Sequence, residues 1–293
     1  MNYQIKSDEL RVTVSTKGGE FVSIKDIAGT EYLWQGDPNY WAGQSPICFP
    51  IVGSLRKKTA SIGNGKTCTM ERHGVVKGQE FTVVEDTDDA VVLAFCSNQE
   101  TLNRYPFKFE LQVRYQVSGK TLTTTFTVWN HDQEPMPYQI GGHPAFNCPI
   151  GDDGKFEDYV VEFAQEETLT VPFPVIETGL LNVKKRTKLL DHSNILKMDH
   201  SLFLVDALFF DKLKSRKVSL KNPESGRGLS MDFHEFQNFV IWSTRTGAPF
   251  VALEPWNGLS TCSDEDDIFE HKRGITILAP GESKSHSYTI TIL

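Results

Sequence analysis

The sequence predicts an all-β protein, a large antiparallel β-sandwich with its functional cleft on one concave sheet face. Three observations lead there. Residues 107–117 alternate without interruption, Phe107, Phe109, Leu111, Val113, Tyr115 and Val117 against Lys108, Glu110, Gln112, Arg114 and Gln116, the two-residue period of a sheet with one face buried. Strand-length apolar runs bounded by Gly, Pro and Asn recur from one end of the chain to the other. No helical period persists beyond about two turns, and no 20–50-residue repeat is present. A twisted sheet of this many strands folds into packed layers. With no linker or composition break, residues 1–293 read as a single domain.

The elements follow in order. Residues 11–16, 20–27 and 31–34 are short strands separated by Lys17-Gly18-Gly19 and Ala28-Gly29, the rhythm of a meander. Residues 41–50 form a loop rich in aromatics, Gly and Pro, and Asn64-Gly65 is a strong hairpin signal. Residues 90–95 read as a buried strand. Residues 107–117 and 122–129 run antiparallel about Ser118-Gly119-Lys120. Residues 159–163 make a strand, Val171-Pro172-Phe173-Pro174 a connection, and residues 176–200, polar and aperiodic, an excursion over the surface. Strands resume at 202–210, 217–220, 229–233, 239–243, 250–253, 274–278 and 286–293.

A net charge of −8 argues against nucleic acid or an anionic membrane as partner, since both require clustered cations, but leaves room for a local basic pocket. The five cysteines are scattered and odd in number, without a CxxC pair. That fits reduced thiols better than a disulfide frame or a zinc site. The N-terminus lacks the apolar core of a secretion signal, and no apolar run is long enough to span a bilayer. The expected location is cytoplasmic, as a monomer or homodimer.

Residues 138–147, YQIGGHPAFN, carry the first candidate group. The two glycines permit unusual backbone or a close approach, and Pro144 restricts His143 to extended conformations. A histidine so held is a candidate acid or base near neutral pH. His73 precedes Gly74. Glu254 ends an apolar strand just before Pro255 and beside Trp256, a suitable platform for a sugar ring. Asp206 lies within the apolar run 202–210, where a lone charge is costly unless it is paired or faces a wet cleft. One His and one Glu on opposite sides of a small polar substrate suit proton transfer at a hemiacetal, lyase-type proton abstraction or hydrolysis. The residue types do not choose among these. No metal-ligand spacing, phosphate loop or GxSxG motif is present.

The segments Ser45-Pro-Ile-Cys-Phe-Pro-Ile-Val-Gly53, Arg72-His-Gly74 with Phe81, Gly141-Gly-His-Pro-Ala-Phe146, Asp206-Ala-Leu-Phe209, Ser225-Gly-Arg227 and Leu253-Glu-Pro-Trp256 resemble, in order and spacing, the aldose 1-epimerases (galactose mutarotases), most closely their LacX-type branch. The resemblance implies a β-sandwich with the site on a concave face. It implies interconversion of the α and β anomers of a galactose- or glucose-type monosaccharide, without metal or organic cofactor. It makes His143 the general acid on the ring oxygen and Glu254 the general base on the anomeric hydroxyl. His73 would orient the sugar and Asp206 would bind its hydroxyls. Where LacX-type relatives read Gly-Arg-Leu, this chain has Gly53-Ser54-Leu55 with Arg56 two places on. In an extended segment positions 54 and 56 share a face, so Arg56 is expected to reach the substrate. An Ala-Arg pair frequent in the family is Val76-Lys77 here. A non-catalytic carbohydrate-binding protein and an epimerase of hexose 6-phosphates, with Lys57, Lys58 and Lys77 as phosphate cations, are the alternatives.

Overall fold

The structure, a computed structural model, describes residues 1–63 and 65–293. Three antiparallel sheets carry most of the chain. The largest has nine strands, in the order Leu180–Lys197, Val160–Val175, Lys217–Lys221, Gly228–Asp232, Ser283–Ile292, Thr121–Asn130, Phe109–Ser118, Ala90–Cys96 and Thr82–Asp86. The second runs Leu208–Phe210, Asn238–Trp242, Phe250–Asn257, Ile140–Gly142 and Ile47–Cys48, with Ala145–Asn147 also paired to Phe250–Asn257. A meander of Asn2–Lys6, Leu10–Ser15 and Phe21–Asp26 forms the third. The α-helix Gln99–Arg104 is a short piece capped by Asn98. No helix among the described residues is long and apolar enough to cross a membrane.

The alternating strand is as expected. In Phe109–Ser118, Phe109, Leu111, Val113, Tyr115 and Val117 are buried while their neighbours are not. It pairs in register with Thr121–Asn130, Val113 opposite Phe126 and Leu111 opposite Val128. Those side chains share one core with Phe239, Ile241, Val251 and Leu253 of the second sheet, so the two sheets pack face to face.

Strand parity then fixes the site. In Phe250–Asn257, Val251 and Leu253 enter that shared core, whereas Phe250, Ala252, Glu254 and Trp256 project to the other face. In Asn238–Trp242, Phe239 and Ile241 go inward and Val240 and Trp242 outward. This second sheet is covered on both faces, which is why Phe250–Asn257 is buried throughout and shows no alternation in the sequence.

Two readings of the sequence are corrected. The expected surface excursion at residues 176–200 is a strand, Leu180–Lys197, paired with a partner that runs Val160–Val175 rather than stopping at residue 163. Register shifts break this long hairpin at several points, and much of it is exposed, so neither face leaves a periodic signal. The expected strand 202–210 is instead a 3₁₀ turn, His200–Phe203, then a bend, then Leu208–Phe210, which puts Asp206 in the bend. Of the expected Asn64-Gly65 hairpin, Asn64 lies outside the described residues, while the flanking strands Thr59–Ser61 and Thr67–Thr69 pair antiparallel.

Candidate active site

His143 and Glu254 arrive on neighbouring strands. Gly141 pairs with Trp256, and Gly142 with Ile47 on the other side. Neither glycine is at positive φ. Their smallness serves close approach instead: a Cβ on Gly141 would lie 2.5 Å from Trp256 Cδ1, and one on Gly142 2.9 Å from the Tyr288 hydroxyl. Just beyond the pair, the His143 amide donates to the Pro46 carbonyl at 3.0 Å. His143 Nε2 then stands 3.3 Å from Glu254 Oε2. The two groups are therefore side by side, not on opposite sides of the cleft.

The third group comes from a bent loop. His73 has φ +72° and Gly74 φ +91°. A Cβ at Gly74 would fall 2.0 Å from the Phe49 carbonyl oxygen, so only glycine fits. The Gly53 amide donates to His73 Nδ1 at 3.2 Å, and the Cys48 thiol lies 3.2 Å from the same nitrogen. An Nδ1 that accepts leaves the proton of a neutral ring on Nε2, so His73 offers a donor. Its ring meets His143 edge-on, centroids 5.3 Å apart. Trp41 stacks on His143 at 5.0 Å between ring centroids, and Trp242 abuts it edge-on at 5.5 Å.

These residues line one cavity of about 280 Å³, completed by Pro46, Arg72, Lys77, Asp206, Ala207, Val240 and Trp256. It lies at the small end of ligand sites, of a size for one sugar ring. Asp206 accepts from the Ala207 amide at 2.8 Å and faces the Arg72 guanidinium at 3.8 Å. Among the described residues no group of three or more His, Cys, Asp or Glu is placed to hold a metal ion.

Burial dominates the electrostatics. It lowers His143 to about 3, helped by the positive charges of Arg72 and Lys77. It raises Glu254 well above the usual carboxylate range, against the opposing pull of Arg72. It also holds His73 well below an ordinary histidine, with His143, Arg72 and Lys77 adding to the effect. Each shift disfavours a charge in a dry site. Burial therefore favours a carboxylic acid beside a neutral imidazole, and Glu254 Oε2 and His143 Nδ1 have no hydrogen-bond partner among the described residues. The ion-paired form, imidazolium and carboxylate, contains the same number of protons.

Four of the five expected site residues thus converge: His143, Glu254, His73 and Asp206. Arg56 does not. Its guanidinium holds Asp267, Nε to Oδ1 2.9 Å and to Oδ2 3.0 Å, and donates to the carbonyls of Cys262 and Glu265. It lies in a neighbouring groove with Ser54, Lys57 and Lys58, which meets the cavity only at Arg72. The extended segment assumed for residues 53–56 does not exist: Gly53 is at φ +66° and Arg56–Lys58 is a 3₁₀ turn, so the chain turns away from the cleft. The cation that enters is Arg72, directly before His73, and the three lysines grouped from the sequence divide, Lys77 alone lining the cavity.

A model of the aldose 1-epimerase family matches residues 1–291. The chain belongs to this family. It is 45% identical over the full length of both chains to two proteins of Lactococcus lactis subsp. lactis, Protein LacX in its plasmid and chromosomal forms. Among solved structures, a galactose mutarotase related enzyme from Lactobacillus acidophilus superposes with a TM-score of 0.93 at 29% identity, covering 100% of this chain and 97% of its own. A galactose mutarotase-like protein from Lactobacillus casei gives 0.92 at 28% identity with both chains fully covered.

Among the aromatic and charged residues that line the cavity, sequence reasoning left out three. Trp41 sits in an irregular loop and had no periodic context. Trp242 closes a strand whose outward parity is visible only once Phe239 and Ile241 are known to face the core. Arg72 adjoins His73 in the sequence, but its direction depends on the positive φ of His73, which only the structure shows.

Proposed function

We propose that the protein interconverts the α and β anomers of an aldohexose, with His143 and Glu254 as the acid and base. The observation that carries this reading is their 3.3 Å contact at a buried wall of a sugar-sized cavity. The two oxygens that exchange protons, the ring oxygen and the anomeric hydroxyl oxygen, are both bonded to C1. A side-by-side acid and base suits such neighbours better than a pair facing across a cleft.

The step balances within the pair. In the ion-paired form the carboxylate of Glu254 takes the hydroxyl proton while His143 gives one to the ring oxygen, and the C1–O5 bond breaks. The product is the open-chain aldehyde, with a neutral imidazole beside a carboxylic acid. Rotation about C1–C2 exposes the other carbonyl face. On closure the O5 hydroxyl attacks C1, His143 takes its proton and Glu254 returns one to the aldehyde oxygen. The starting ion pair reappears and no proton leaves the site. Each group is worth about 10²–10⁴-fold in rate. His73, with its proton on Nε2, and Asp206 bind hydroxyls, and Arg72 holds Asp206 in place.

Polarimetry on freshly dissolved α-D-glucose and α-D-galactose tests the reading. Decay to equilibrium rotation faster than in buffer supports it and ranks the sugars. A folded protein that accelerates neither overturns it. A second reading has its own observation: Lys77 makes no ion pair among the described residues and lines the cavity with Arg72, positions suited to a phosphate. Hexose 6-phosphates anomerised well above plain hexoses would favour it. A sugar binder without catalysis is disfavoured by the acid–base contact and would show saturable binding with no gain in rate.

A further inference from the structure

One buried thiol beside the cavity has no part in the proton exchange. Cys48 is 0% exposed and sits on the strand Ile47–Cys48, opposite Gly141. Its sulfur lies 3.2 Å from His73 Nδ1. Burial, with the charge of Glu254 adding to it, holds the thiol well above its ordinary range. It therefore keeps its proton, and it is an inert thiol rather than a nucleophile.

A second donor fixes the direction of that contact. The Gly53 amide also points at His73 Nδ1, at 3.2 Å. An amide N–H cannot accept, so Nδ1 carries no proton, and the thiol hydrogen is the one left to face it. Both contacts are long, and both draw on a single in-plane lone pair, so neither alone makes a firm bond. Together they set the rotation of the ring and leave its proton on Nε2. A second proton on the ring would place Nδ1–H against two donors. The same segment grips the backbone: the His73 amide donates to the Gly53 carbonyl at 2.8 Å, and its carbonyl accepts from the Phe49 amide at 3.1 Å. A histidine at φ +72° persists only where its surroundings over-determine it in this way.

We infer that Cys48 is a positioning residue for His73, its thiol acting with the Gly53 amide to hold the imidazole neutral and oriented as a fixed Nε2–H donor to the sugar. The inference rests on the anomerisation reading given above. A buried free cysteine also serves as a small apolar filler, here among Val52, Ala207, Phe209 and Val240. Two substitutions separate the roles. Cys48→Val keeps an apolar side chain and removes the donor. Cys48→Ser keeps a donor and sets a hydroxyl in an apolar cluster. A filler is replaced better by Val, and a donor better by Ser.

Anomer exchange on glucose and galactose is to be measured for the wild type and both variants, with nitrogen NMR of the His73 ring as a function of pH. Cys48→Val should raise KM about three- to tenfold, the worth of one modest hydrogen bond, with a smaller change in kcat. Cys48→Ser should recover most of that loss while being the less stable protein. In the spectra the wild type should show a bare Nδ1 and a protonated Nε2, and the His73 midpoint should rise by up to about one pH unit in Cys48→Val. His143, Arg72, Lys77, Asp206 and Glu254 share the cavity with His73 and are common to all three proteins, so the difference reports the thiol. A Cys48→Val protein with KM at or below that of Cys48→Ser, or with an unchanged His73 titration, overturns the inference while leaving anomerisation intact. If the wild type anomerises no sugar, the parent reading fails and the spectra alone decide the role of Cys48. A wild-type ring that carries its proton on Nδ1 overturns the inference even if neither variant folds.

Discussion

Under the proposed mechanism, replacing Glu254 with Gln removes the base while changing almost nothing else. The side chain is 1% exposed, so no hydration is lost or gained. Gln keeps the shape and stays 3.3 Å from His143 Nε2. Burial already drives Glu254 toward its neutral acid, so a neutral amide relieves a cost and adds none. Stability should therefore be equal or slightly higher. Catalysis should not survive under the proposed mechanism, because no carboxylate remains to take the anomeric hydroxyl proton and later return it. The loss expected for a general base is about 10²–10⁴-fold, or roughly 3–5 kcal/mol of barrier. His143→Asn should lose a similar factor. The double variant should be scarcely worse than either single one, since the residues act as a unit. The assay is anomer exchange by polarimetry or NMR with the buffer rate subtracted, alongside a thermal melt. A Glu254→Gln protein that melts normally and turns over within about threefold of wild type would refute the proton-sharing argument.

Burial penalises both the cationic pair with two protons and the anionic pair with none. The rate–pH profile should therefore be a broad plateau, its acid limb displaced below a normal histidine and its basic limb above a normal carboxylate. A sharp maximum near pH 6.5 would contradict this. Asp206→Ala should raise KM with a smaller effect on kcat, whereas Arg56→Ala should leave KM unaltered and cost about 1 kcal/mol of stability through its lost Asp267 contact; sugar titrations and denaturant curves on both variants separate the roles. Gly74→Ala, which sets a methyl against the Phe49 carbonyl at positive φ, should destabilise by about 2–5 kcal/mol, and an unchanged melting temperature would show that the loop can rearrange. His73 and His286 are both held below a normal histidine by burial, His286 at about 4 between the Tyr138 hydroxyl and the Asn257 amide. Between pH 6.5 and about 4 the unfolded chain binds a proton that native His286 does not, so the contribution of His286 to stability should be lost as pH falls across that window, opposite in sign to that of the raised Glu254; a stability difference between wild type and His286→Gln that stays constant over the window would exclude this.

What could be read in advance follows from how each side chain meets water. Phe109–Ser118 announces itself because one face is wet and the other dry. Phe250–Asn257, dry on both faces, reveals that it is a strand but not which way Glu254 points; that needs the parity of its neighbours. The hairpin of Val160–Val175 and Leu180–Lys197 is the opposite case, too exposed and too often shifted in register for a pattern to build up. His143, Glu254, His73 and Asp206 were legible through their unusual flanks, Gly-Gly, Pro-Trp, Gly and an apolar run. Arg56 was misplaced because a projection by alternate residues holds only while the backbone stays extended, and Gly53 and the 3₁₀ turn end that.

The proton-handling pair hangs from strands bonded to each other at Gly141 and Trp256, whereas Trp41, Arg72, Lys77 and Asp206 come from loops and bends. Under the proposed roles, part of the cavity wall can therefore change without moving the reacting groups, although Val240, Trp242 and Trp256 of the strands line it too. A change in the loops can trade one sugar for another without moving the reacting atoms, while a change in the paired strands has no neutral direction to drift in. Lineages descended from such a chain would be expected to diversify in what they accept long before they diversify in what they do.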